Sequence, residues 1–189
     1  MCDEEGATTR ESERAMQEAR LEQPTRATDN LVVIAPDGIA VHPIPLPGVL
    51  GLSIAEGRLP VGEFGVHAHR SLEQITYVLS GQLLVTMGDP LSGKTVELPC
   101  GPGDTIGTAP LVTLSYRNLG PKPVRVLFIC APPYPADDAD TVTFKRHRAL
   151  TAAELGTAMA RVEEARAVMN AQFDALRARI AALRGQGGE

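Results

Sequence analysis

The chain has 189 residues, 43% of them hydrophobic and 22% charged, with a formal net charge of −5. That length suits one domain of ordinary size with appendages, and the balance is that of a globular chain rather than a disordered one. An acidic chain with three lysines and no tryptophan is a poor nucleic-acid binder, and no apolar run approaches the ~20 residues of a membrane helix.

The first thirty residues hold eight acids against four arginines and no apolar core, so no secretory signal is expected there. Thr9 can cap a short helix running to Leu21, with acids in its first turn; a frayed tail is the alternative. Cys2, Cys100 and Cys130 are odd in number and widely spaced. They suggest neither a disulfide scaffold nor a zinc knuckle, and they suit a reducing cytoplasm.

From Leu31 to about Val142 short β-branched or apolar runs alternate with turn signals. The runs include Gly65–His69, Ile75–Leu79, Leu83–Met87, Leu111–Tyr116 and Val124–Cys130, and the turns include Pro36-Asp37-Gly38 and Gly101-Pro102-Gly103-Asp104. Short strands with this punctuation predict an antiparallel sandwich or barrel over residues 31–148, and the lack of an interrupting helical period excludes a doubly wound α/β fold. The period then changes. Leu155, Met159, Val162, Met169, Phe173, Leu176, Ile180 and Leu183 form a heptad seam interrupted at Arg166. Thr151 and Glu154 form a capping box, so residues 149–184 predict one long helix ended by Gly185, with 185–189 as a tail. The narrow seam favours pairing with a second chain, hence a homodimer with a coiled-coil contribution. A strap across the chain's own barrel is the alternative.

The chemistry concentrates in Gly62–Gly81. His67 and His69 stand two apart on a predicted strand, so both imidazoles leave one face and can share a metal ion. Two surface histidines on a barrel strand would give the same pattern. The surrounding residues resemble the first motif of the cupin superfamily: a glycine, His67-Ala68-His69, then Tyr77-Val78-Leu79-Ser80-Gly81. Pro102-Gly103-Asp104 through Arg117-Asn118-Leu119-Gly120 is similar to the second motif.

The resemblance implies a mainly β, single-domain cupin barrel (a double-stranded β-helix) holding a metal at its mouth. Its usual glutamate position falls on Gln74 and its last histidine on Leu114. The implied ligand set is therefore His67, His69 and Gln74 around one divalent Zn, Fe, Ni or Mn ion, with a position open. His42 and Tyr116 are candidate extra ligands, and Tyr116 is the candidate catalytic acid or base. Neutral donors leave the ion's charge uncompensated, which an anionic substrate would offset.

The expected function is a metal-dependent enzyme on a small organic molecule, of the lyase, isomerase or cyclase type. A metal-free cupin serving as a binding or assembly module is the alternative, and a dioxygenase a further one. No nucleic-acid or membrane partner is expected.

Overall fold

A computed structural model describes residues 25–27, 31–49, 51–135 and 137–186. The helix expected before Leu21 lies outside the described residues. Twelve strands and one long helix make up the described chain: β1 Val33–Ile34, β2 Ala40–Ile44, β3 Ser53–Leu59, β4 Gly62–Glu63, β5 Val66–His69 and β6 Glu73–Ser80 come first. β7 Leu83–Gly88, β8 Thr95–Cys100, β9 Thr105–Thr108, β10 Thr113–Asn118, β11 Val124–Ala131 and β12 Thr141–Phe144 follow, then helix α1 Ala152–Gln186.

The strands form two antiparallel sheets, ordered β1-β2-β3-β11-β6-β9 and β12-β5-β10-β7-β8, with β4 added beside β10. Their facing sides bury Leu59, Val78, Val85, Leu114, Tyr116 and Val126. Three strands, β2, β4 and β12, lie outside the apolar runs of the sequence. β2 carries Pro43, which signals a break even though the strand pairs β3 through Pro43 and Ala55. β12 has only four residues and forms because β5 offers it a register, with Thr141 opposite His69. Gly81 closes the β6–β7 hairpin with φ of 92°, and a Cβ there would sit 2.7 Å from Val124 Cγ2. Both the conformation and the space select glycine.

On the outer side of the first sheet Glu56 accepts hydrogen bonds from Arg125 Nε and Nη2, both at 2.9 Å, and from Arg58 Nε at 2.8 Å. The Arg125 bonds are the main reason its carboxyl is pulled down to about 2 from an ordinary 4.5. A depressed folded-state value stabilises the fold above pH 4.5, and the stabilisation is lost as pH falls towards 2. We therefore expect Glu56→Gln to flatten the fall of the urea midpoint between pH 5 and 2 relative to wild type. Parallel acid limbs in the two proteins would contradict this.

The capping box is present: Glu154 N–H donates to Thr151 Oγ1 at 3.3 Å, and Thr151 N–H to Glu154 Oε2 at 2.8 Å. The helix continues through Gly185 to Gln186, slightly past its expected end. Its first half packs on the barrel over Ser71, Leu72 and Pro132–Pro135, but not by the heptad seam. Ala158, Arg161, Ala165 and Gln172 form the inward stripe, and most of the seam faces water.

Candidate functional site

Strand alternation places the site. On β6 Gln74, Thr76 and Val78 face inward and are buried, while Glu73, Ile75 and Tyr77 face outward. On β10 Leu114 and Tyr116 face the same interior, and Leu114 pairs directly with His67 of β5. His67, His69, Gln74, Tyr116, Cys130 and Tyr134 line one side of a cavity of about 310 Å³, and Ile39, Val41, Ile54 and Phe128 make its other walls largely apolar. The two imidazoles meet at 73°, their centroids 5.3 Å apart.

Each ring has acceptors gathered at Nδ1. His67 Nδ1 lies 3.3 Å from the Gly65 carbonyl and 3.3 Å from Asp37 Oδ2. His69 Nδ1 lies 3.6 Å from Asp140 Oδ2 and 3.4 Å from Thr141 Oγ1. The Gly65 carbonyl favours the proton on Nδ1 of His67, which leaves its Nε2 lone pair free, while Asp140 Oδ2 is buried without a hydrogen bond beside Nδ1 of His69. His69 Nε2 is buried and has no hydrogen-bond partner. Burial, then the neighbouring His69, pushes the His67 imidazolium down to about 3, so this ring is neutral at any ordinary pH.

Sequence reasoning missed both carboxylates. Asp37 belongs to a Pro-Asp-Gly turn, and its side chain also accepts from Ile39 N–H at 3.1 Å. Burial raises its carboxyl above the ordinary value. Asp140 ends a 3-10 turn, Asp138–Asp140, pinned to the β5–β6 connection by Ser71 N–H at 3.0 Å and by Arg70 Nη1 donating to the Ala139 carbonyl. Burial works to raise the Asp140 carboxyl, but the neighbouring His69 ring and the Ser71 hydrogen bonds outweigh it and hold the group low. Two acidic turns flanking an HxH strand are the only signal the sequence carried.

The remaining candidates fall into place. Gln74 Nε2 donates to Tyr116 Oη at 3.0 Å, and Thr76 Oγ1 shares a 2.8 Å hydrogen bond with the same hydroxyl. The Gln74 carbonyl has only the Cys130 thiol, at 3.7 Å. Burial pushes the Tyr116 phenol well above its usual value, so it stays protonated and can donate but not act as a base. His42 does not join the site. It sits between Val41 and Pro43, which line the cavity, and so leaves the opposite face of β2 beside Glu56. Asp140, held low, stands behind the His69 ring as a source of negative charge.

Do these residues fit a metal? With metal–nitrogen bonds of ~2.0–2.1 Å at tetrahedral angles, two imidazole centroids should lie about 5.2 Å apart, close to the observed 5.3 Å. The buried, unpartnered Nε2 of His69 and the neutral His67 ring fit as well. Among the described residues no three His, Cys, Asp or Glu side chains converge, so a third protein donor would come from another lining side chain, Gln74 among them.

A single β-barrel with paired histidines aimed into an apolar cavity defines the class, and comparison with known proteins gives the family. The family model described as "Cupin domain" matches residues 56–130. An uncharacterised protein of Methanocaldococcus jannaschii is 34% identical over 101 residues, 53% of this chain and 75% of that one. The chain belongs to the cupin superfamily. Oxalate decarboxylase of Lactobacillus farciminis, in a formate complex, superposes with a TM-score of 0.51 at 17% identity over 60% of this chain. This chain spans a third (33%) of that enzyme's length. Pac13 of Streptomyces, with uridine, gives 0.50 at 15% identity over 64% of this chain and 91% of that one.

Proposed function

We propose that the barrel is a non-redox enzyme site of the lyase, isomerase or cyclase type, in which His67, His69 and Gln74 hold one divalent transition metal. A small organic substrate fills the adjoining cavity. One observation carries this reading: the buried His69 Nε2 has no partner, beside the His67 imidazole at the spacing a shared ion needs. The ion supplies Lewis-acid polarisation of a carbonyl or enolate oxygen.

The chain's own residues do the rest. The Gly65 carbonyl and Thr141 hydroxyl position the two rings, with Asp37 and Asp140 beside them. Tyr116 and Thr76 hold the Gln74 amide, and the Tyr116 hydroxyl is the neutral donor nearest the bound molecule. The apolar walls exclude water and select a substrate with a modest polar end. Since Asp140 already supplies negative charge, a neutral substrate suits the site as well as an anionic one. The activities named for the two solved relatives, a decarboxylase and, for Pac13, a nucleoside dehydratase, belong to proteins that share only the fold at this identity.

Elemental analysis of tag-free protein tests the reading. Near one equivalent of a transition metal supports it. No metal after reconstitution turns the case to the second reading, a metal-free pocket whose histidine–aspartate pairs bind or protonate a ligand directly. That reading is favoured by the lack of a third ionisable donor among the described residues.

Leu114 gives a sharper check. It is the cross-strand partner of His67, so side chains at the two positions stand ~4.5–5.5 Å apart at Cβ. Leu114→His adds an imidazole on the face that carries the pair, and we expect chelator competition to show metal held about tenfold tighter or more. Unchanged or weaker affinity would mean that position 114 does not reach the ion.

A further inference from the structure

Helix α1 has 35 residues and is therefore about 52 Å long. Its barrel-facing stripe, Ala158, Arg161, Ala165 and Gln172, ends at Gln172, and every described side chain from Phe173 onward is exposed. At 3.6 residues per turn the heptad seam runs about a quarter turn away from that stripe along the first half of the helix. Docking on the barrel half-buries Leu155 and Met169 and leaves the other seam residues exposed. Met159, Val162, Phe173, Leu176, Ile180 and Leu183 are between 38% and 64% exposed, an apolar line that water covers in a single chain.

We infer that this seam is an interface for a second copy of the same chain, and that the two helices pair antiparallel about a centre near Ala171. The charges and the Arg166 position decide the direction. In a parallel pair Arg166 would stack on the partner's Arg166, and Arg179 would face the partner's Arg184 across the flank. Both contacts bring like charges together.

In the antiparallel register Met159 meets the partner's Leu183, Val162 the partner's Ile180 and Met169 the partner's Phe173. Arg166 then lies across the partner's Leu176, its stem on an apolar surface and its head at the rim near Glu163, 3.6 Å away in its own chain. Glu163 faces the partner's Arg177, and by symmetry this contact occurs twice. The half of the helix from residue 152 to 169 carries three glutamates against two arginines, and the half from 170 to 186 three arginines against one aspartate. Reversing one copy therefore sets an acidic half against a basic one, and it sends the two barrels to opposite ends of the pair.

The test uses the full chain with Cys2→Ser as background, because Cys100 and Cys130 are buried. Light scattering at tens of micromolar is expected to give a dimer, and Ile180→Glu a folded monomer with an unchanged circular dichroism spectrum. Met159→Cys and Leu183→Cys proteins, mixed and oxidised, should form a disulfide dimer, while either alone should not. Cross-linking of each variant with itself would establish the parallel pair and overturn the assignment. A monomeric full-length protein, or a dimer that persists in Ile180→Glu without the mixed disulfide, would overturn the interface itself.

Discussion

Replacing His69 with alanine should cost about 100-fold or more in affinity for a divalent metal, and the His67→Ala, His69→Ala double variant should show no stoichiometric binding. Loss of an outer-sphere partner alone typically costs 10–100-fold, so loss of a direct donor sets a higher floor. The fold should survive, because Asp140 keeps its hydrogen bonds from Ser71 when His69 is gone. Isothermal titration with Zn²⁺ or Ni²⁺, run beside urea unfolding, separates the two effects. Wild-type affinity in the double variant would remove His67 and His69 from any metal site. If wild type itself binds no metal, the same variants should instead lose affinity for whatever small molecule protects the wild type from thermal unfolding.

The second large effect falls on stability. Tyr116 is 2% exposed, packs against Phe128 at a centroid distance of 5.8 Å and closes the cavity floor between the sheets. Tyr116→Ala should cost about 3–5 kcal/mol by analogy with other buried aromatic truncations, a large share of a typical domain's stability. Tyr116→Phe keeps the ring but strands Gln74 Nε2 and Thr76 Oγ1 in a buried place, which should cost about 1–3 kcal/mol. Urea midpoints measured at neutral pH distinguish the cases. A Phe variant as stable as wild type would mean that Gln74 and Thr76 find other partners, and that the hydroxyl is free for the substrate.

Together the two experiments separate the roles within the site. The histidines should carry binding with little cost in stability, whereas Tyr116 should carry stability and, through Gln74, the geometry of the third donor. A helix-mediated dimer would leave both results unchanged, since the seam of α1 lies outside the cavity.

The barrel was legible in the sequence because strand alternation is a local property. A period of two puts Gln74, Thr76 and Val78 on one face and Leu114 and Tyr116 on another, the cupin resemblance implies that the Gln74 and Leu114 faces point inward, and all five are buried. The convergence of His67 and His69 follows from the same rule. Helix α1 was legible from its 3–4 period and its capping box. The carboxylates behind the histidines were not, because Asp37 and Asp140 sit in turns whose sequences specify only the turn. Only closure of the two sheets brings one turn to Nδ1 of His67 and the other to Nδ1 of His69. His42 likewise needed the register of β2 on β3 before its direction away from the cavity was fixed. The helix shows the division most plainly. Its seam is written in the chain, but the face that meets the barrel is chosen by Ala165, small enough to approach Pro132–Pro135, and by Arg161, long enough to reach Asp140, and that choice belongs to the packed structure.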